Sequence, residues 1–234
     1  MRSILAALAL VLLAGCATAP GNPDPWEPMN RKVFAFNDAF DQALYRPVAV
    51  GYKKVTPQPV QTGVNNFFDN IYDVNTTLNQ FLQGKPKEGF SDAARFVFNT
   101  VFGVFGLFDV ATPLGLDKHD EDFGQTLGLW GVPSGPYLVL PLLGPSTARD
   151  GPAKLVDLQW YYPRWVDNDT LYWSLWGLDK VRTRANLLQA ENVLNAAALD
   201  RYTFLRDGWL QRRRSQVYDG HPPRVKDDFD EDTK

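Results

Sequence analysis

Forty residues near the middle of the chain, Pro113–Pro152, hold six prolines and seven glycines, 13 of the 35 in the whole sequence. Proline removes a backbone donor and fixes φ, and glycine weakens a helix, so this stretch cannot be one regular helix. It separates an N-terminal run of helical patterns from a C-terminal one. Within it, Tyr137-Leu138-Val139-Leu140 lies between Pro136 and Pro141. That reads as a short strand or extended piece, half of a small hairpin. The fold class that follows is mainly α: one helical domain with amphipathic, interfacial helices and a Gly/Pro-rich central loop or short hairpin.

The helical patterns begin at Met29. Met29, Val33, Phe36, Phe40 and Leu44 recur at helical spacing, and Arg46-Pro47 is expected to end that helix. A link containing Pro57 and Pro59 follows. Val64–Leu82 is the clearest helix, with Val64, Phe67, Phe68, Ile71, Val74, Leu78, Phe81 and Leu82 on one stripe. Asn and Asp fill much of the rest. Gly84 suits a C-terminal cap, and Pro86 suits the first turn of a helix running to about Phe102.

Phe96–Val110 is strongly apolar and admits two readings: a buried core helix with a Gly turn, or a segment in contact with lipid. Fifteen helical residues span only about 22 Å against a ~30 Å bilayer core, and Asn99 and Asp109 lie inside the segment. A re-entrant or interfacial hairpin folded at Gly103 and Gly106 fits better than a spanning helix. Phe96, Phe98, Phe102, Phe105 and Phe108 are the membrane-contact candidates there. Trp160–Trp176 adds seven aromatics in 17 residues. Trp and Tyr suit the headgroup level of a bilayer, which nominates Trp165, Trp173 and Trp176; an aromatic core corner or a protein interface is the alternative. A last helical stretch runs from about Leu175 to Arg213. The closing Arg212-Arg213-Arg214 suits a solvated helix C-terminus better than a site for anionic headgroups.

The N-terminus is read as an address. Arg2 precedes an apolar run, Ile4–Ala14, of about 16 Å, too short to span and suited to a signal-peptide core. Leu13-Ala14-Gly15-Cys16 resembles a bacterial lipobox, in which Cys16 is acylated and the chain is cut just before it. Ala17 after the cysteine points, by the same resemblance, to the outer membrane. The expected organisation is a signal peptide over 1–15, a lipidated tether over 16–28, a helical domain over 29–219 and an acidic, disordered tail over 220–234. That tail holds most of the net charge of −3, so the body is nearly neutral.

The composition excludes several chemistries. A chain of net charge −3 lacks the basic face a nucleic-acid binder needs. One Cys allows no internal disulfide and no multi-Cys metal site. The Gly-x-Ser-x-Gly elbow of a lipase is absent at Ser134 and Ser146, and only His119 and His221 are available as bases. His119-Asp120-Glu121-Asp122 reads as an exposed polar loop rather than a metal site. No phosphate loop or dinucleotide fingerprint occurs, so no cofactor and no catalytic residues are assigned.

Ordered blocks carry a resemblance. They are Asp24-Pro25-Trp26-Glu27-Pro28-Met29-Asn30-Arg31, Arg46-Pro47-Val48-Ala49, Val55-Thr56-Pro57-Gln58-Pro59, Asn79-Gln80-Phe81-Leu82-Gln83-Gly84 and Arg95-Phe96-Val97-Phe98-Asn99-Thr100. The most specific is Phe123-Gly124-Gln125-Thr126-Leu127-Gly128, followed by Gly135-Pro136-Tyr137, Leu140-Pro141 and Gly144-Pro145-Ser146. Together, from about Asp24 to about Asp219, the chain resembles the MlaA/VacJ family of outer-membrane lipoproteins. The resemblance implies a ring-like helical body in the inner leaflet of the outer membrane, facing the periplasm. It implies an activity in retrograde phospholipid transport, not an enzyme. Mislocalised outer-leaflet phospholipids would leave through an amphipathic channel to a periplasmic lipid carrier of the Mla system, beside a porin trimer. Gly124, Gly128, Gly131, Gly135, Pro136, Tyr137, Pro141 and Gly144 are the lipid-passage candidates; a rigid turn closing the ring is the other role for them. The competing function is a structural lipoprotein scaffolding a porin or the cell wall.

Overall fold

A computed structural model describes residues 22–161 and 168–223. Its α-helices are α1 (Glu27–Phe40), α2 (Arg46–Val55), α3 (Gln58–Leu82), α4 (Pro86–Val101), α5 (Phe123–Leu129), α6 (Asp150–Tyr161), α7 (Asp169–Ala197) and α8 (Arg201–Val217). One antiparallel hairpin joins β1 (Tyr137–Leu140) to β2 (Gly144–Thr147), with Tyr137 opposite Thr147 and Leu140 opposite Gly144. The chain is mainly α, as its patterning requires.

Three boundaries differ from expectation, each for a local reason. Arg46-Pro47 does not end the first helix. A π-helical turn, Asp41–Tyr45, carries α1 into α2, so that Pro47 falls in a first turn. The wide turn lets the chain pass a proline without a ring clash. Helix α3 starts at Gln58, earlier than Val64, because Pro59 sits in its first turn, where no donor is needed. The last helical stretch is two helices. Asp200 breaks it by capping α8, its carboxylate accepting from the Tyr202 amide at 3.0 Å. Helix α5 also forms inside the Gly/Pro-rich segment, capped by Asp122, which accepts from the Gln125 amide at 2.8 Å.

Burial is inverted relative to a water-soluble bundle. Among the described residues, nine apolar side chains are buried against 22 polar or charged ones. Helix α3 buries Gln61, Asn70, Asp73, Asn75, Thr76, Asn79 and Gln80; of its apolar stripe only Phe68 is buried. Helix α4 buries Asp92, Arg95 and Asn99 against it. The stripe expected in Val64–Leu82 is real, but the packed face is the polar one. A small apolar core, Tyr137, Val139 and Tyr202 with Val33, Phe34, Trp209 and Leu210, lies where the hairpin meets α1 and α8. Asn30 clamps β1 there: its amide donates to the Tyr137 carbonyl at 3.0 Å, and its oxygen accepts from the Val139 amide at 2.9 Å. Asn37 holds the hairpin turn in the same way through Leu140 and Leu142.

Candidate functional site

The outer face of α4 and the turn after it is apolar and exposed. Phe90, Val97, Val101, Phe102, Val104, Phe105 and Phe108 lie on it, Phe105 at 73 % exposure. Phe96 and Phe98 are half-buried. The turn is set from within. Asn99 accepts from the Val110 and Ala111 amides at 2.9 and 3.0 Å, and its own amide donates to Asp109 at 3.2 Å. Asp109 accepts from the Thr112 amide at 3.1 Å and hydroxyl at 2.5 Å. These bonds and Arg95 outweigh its partial burial and draw the Asp109 pKa down to about 2. A Cβ on Gly103 would lie 2.1 Å from the Phe108 carbonyl oxygen, so the chain folds back only because that position is glycine. Val104 and Phe105 are held left-handed, at φ 54° and 56°, a costly conformation for such residues.

Of the aromatic candidates further on, Trp173 is 61 % exposed and Trp176 is half-buried, with the Lys180 ammonium 5.7 Å from its ring. Trp165 lies outside the described residues. Among the described residues no helix is long and apolar enough to cross a membrane.

Inside the body three cavities adjoin. The first, about 690 Å³ and mostly apolar, lies between α1, the hairpin, α7 and α8 and includes Phe34, Val139, Leu187 and Phe204. Its rim is ionic. Arg184 forks onto Asp41 at 2.7 and 2.8 Å and reaches Glu191 at 2.7 Å, and Arg201 meets Asp38 at 2.6 Å. The second, about 430 Å³, shares Leu187 with the first and adds Asp69, Lys118, Arg182 and Asn186. The third, about 260 Å³, shares Tyr72 and Asp120 with the second and is lined by charged groups, among them Asp157, Lys154 and Arg213. The series therefore runs from apolar to charged.

Titration in this interior follows burial. Asp73 is pushed up to about 7, because its burial outweighs the attraction of Arg95 at 3.6 Å. Asp157 is pushed up to about 6, first by burial and then by Asp122. Burial lowers Lys154.

The eight central candidates do not gather on one cavity. Gly144 lines the apolar one; Gly128 and Gly131 line a further cavity of about 420 Å³ with Arg149 and Arg214, which shares Arg213 with the charged one. Gly124 is a packing position: a Cβ there would lie 2.3 Å from Arg213 and 2.5 Å from Asp150. Gly131, Gly135 and Gly144 take positive φ in turns. Tyr137 is buried in the apolar core, the Pro136 carbonyl accepts from Ala148, and Pro141 opens the hairpin turn.

Arg213 corrects the reading of the basic triplet as a solvated helix end. It is buried, with four hydrogen bonds at 2.6–3.1 Å to Asp122 and Asp150. Asn30, Asn37 and Arg213 were not singled out from sequence. The early signals were slight: Asn30 fell in an ordered block and Arg213 in the basic triplet, and a lone Asn or Arg in a helical pattern reads as solvated face. His119 pairs with Asp92 at 2.9 Å, and no cluster of three metal-ligating side chains occurs among the described residues.

The MlaA lipoprotein family matches residues 22–216. The chain belongs to the MlaA lipoprotein family. It is 37% identical over 228 residues to the intermembrane phospholipid transport system lipoprotein MlaA of Escherichia coli (strain K12), covering 91% of this chain and 88% of that protein. The Haemophilus influenzae protein of the same description is 31% identical, covering 99% of this chain and 96% of that protein. A solved structure from work on the structural basis for maintenance of bacterial outer membrane lipid asymmetry superposes with a TM-score of 0.72 at 33% identity. It covers 84% of this chain and 100% of that one. Family membership places the inverted packing, the aromatic outer face and the graded cavities in a transport lipoprotein.

Proposed function

We propose that this chain is an outer-membrane lipoprotein that withdraws mislocalised phospholipids from the outer leaflet and passes them to a periplasmic lipid carrier of the Mla system. This retrograde intermembrane transport maintains the lipid asymmetry of the envelope. The observation that carries the reading is the inversion of burial. A body with Phe90, Phe102, Phe105 and Phe108 outside and Asp73, Asp92, Arg95 and Asn99 inside suits lipid around it and a polar path within it. The outer face sits in one leaflet without spanning it, held on the periplasmic side by acyl chains on Cys16. The series of cavities supports the passage itself, since a phospholipid presents a charged head and apolar tails together. Transfer breaks no bond, so no nucleophile is required and no enzymatic role is assigned. A ring-like body beside a porin trimer completes the proposal, with the hairpin turn at Gly144 on the wall of the apolar cavity.

A strain lacking the gene should expose phospholipid at the cell surface, read with a headgroup-modifying reagent that does not enter cells. Re-expression should reverse this, and Cys16→Ala should reverse it poorly. Unchanged surface phospholipid in the deletion strain would sink the proposal. Porin loss without misplaced lipid would instead favour the scaffolding role.

A further inference from the structure

We propose that the charged cavity is a headgroup-selecting site. It takes a zwitterionic headgroup with a primary ammonium, that of an ethanolamine phospholipid, ahead of a purely anionic one. The proposal rests on the phospholipid-transport reading and sharpens it. The cavity holds four aspartates, 120, 122, 150 and 157, against three cations, Lys154, Arg212 and Arg213. Arg213 is committed, because Asp122 and Asp150 both fork onto it. The groups left to meet a ligand are of both signs.

Two of them are placed as a pair. Lys154 and Asp157 stand three residues apart on α6, a spacing that puts side chains on one helix face with Cβ atoms about 5–6 Å apart. Both line the same cavity. Lys154 donates to the Pro145 carbonyl at 2.9 Å, which leaves two of its three donors. Asp157 accepts from Asn75 at 3.1 Å and from the Phe123 amide at 3.0 Å, both through Oδ1. Its Oδ2 accepts no hydrogen bond among the described residues. A cationic donor and an open carboxylate oxygen one turn apart match a phosphate with an ammonium a short linker away. Trp209 is in the wall, and an indole face attracts cations. A phosphoglycerol headgroup brings an anion without a cation. It leaves the open oxygen of Asp157 without a cationic partner from the ligand. A trimethylammonium keeps the charge but has no N–H to donate.

The full acylated chain, purified in detergent, is incubated with vesicles containing equal phosphatidylethanolamine, phosphatidylglycerol and phosphatidylcholine, and the retained lipid is counted by mass spectrometry. Wild type should enrich the ethanolamine lipid about tenfold over the glycerol lipid, with choline between them, as expected for one charge-assisted hydrogen bond. Asp157→Asn keeps an oxygen for Asn75 and Phe123 and should bring the enrichment within about twofold. Equal retention of the ethanolamine and glycerol lipids by wild type overturns the selection and leaves transport standing; this arm needs no variant to fold. Enrichment that survives in a folded Asp157→Asn protein also overturns it. Wild type that retains no phospholipid at all overturns transport and selection together.

Discussion

Arg95 sits between two aspartates that respond to it in opposite ways. It lies 3.6 Å from Asp73 and 3.4 Å from Asp109. Asp73 is almost fully buried, and desolvation wins; Asp109 is fastened by Thr112 and Asn99, and hydrogen bonding wins. Their linkage to folding therefore has opposite signs. The Asp109 pKa, about 2, lies below the ordinary 3.8, so its ionised form favours the native state. That contribution is complete above pH ~4 and is lost as pH falls through ~2. Asp109→Ala should lower the urea midpoint of the micelle-bound protein at pH 7 and flatten the acid limb of its stability curve below pH 4. An acid limb unchanged in the variant would contradict the assignment. The Asp73 pKa, about 7, lies above 3.8, so its contribution is present below pH ~4 and fades as pH rises through 7. Asp73→Asn should lose less stability than wild type between pH 5 and 8 in the same titration.

Helix α4 and its returning turn act as one element, and its tightest point is Gly103. A Cβ there meets two backbone oxygens, Phe108 at 2.1 Å and Asn99 at 2.5 Å, neither of which can rotate away. Gly103→Ala should cost more than about 2 kcal/mol and open the turn. Hydrogen exchange should report it as loss of protection at the Val110 and Ala111 amides, which Asn99 holds. Protection equal to wild type would show that the turn tolerates a side chain. Elements of this kind were largely legible in the sequence: the helical spacing of Val64–Leu82, the Gly84 stop and the Pro86 start all correspond to observed features. The hidden part was which face packs. Periodicity reports that an apolar stripe exists, not whether water or lipid lies against it, so nothing in the pattern marked Asn70 and Asp73 as interior. The hints at the surrounding medium were Cys16 and the aromatic runs, not the spacing of the stripe itself. The π-helical turn before Arg46 was illegible because a proline normally signals a boundary. Asn30 and Asn37 gave no local cue, since their partners lie about a hundred residues away in β1 and its turn.

At the scale of the molecule, α8 ties the two ends of the described chain to its centre. Near its start, the Tyr202 hydroxyl donates to the buried Asp24 carboxylate, and Arg206 reaches Glu27 at 3.4 Å. Near its end, Arg213 joins the cap of α5 to the first turn of α6 through Asp122 and Asp150. This end decides stability, because Asp150 is only 2 % exposed and cannot be rehydrated in place. Arg213→Met keeps the apolar stem but leaves Asp122 without its forked cation and Asp150 with Arg149 alone, at 2.9 Å. That loss should cost about 3–5 kcal/mol, the usual cost of breaking a buried ion pair from one side. Lysine at 213 should rescue poorly, since one ammonium cannot fork onto two carboxylates as a guanidinium does. The double change Arg213→Met with Asp122→Asn should recover part of the loss by removing the stranded charge, a coupling the single variants cannot mimic. Limited proteolysis of micelle-bound protein reads the outcome: Arg213→Met should release α8 early, with cleavage between Ala198 and Asp200, while wild type stays whole. An Arg213→Met protein as resistant as wild type would show that α8 is held by its apolar contacts with Tyr137 and Val139 and by the ties of Tyr202 and Arg206 near its start. The ionic clasp between α5, α6 and α8 would then be a passenger of the fold rather than its fastening.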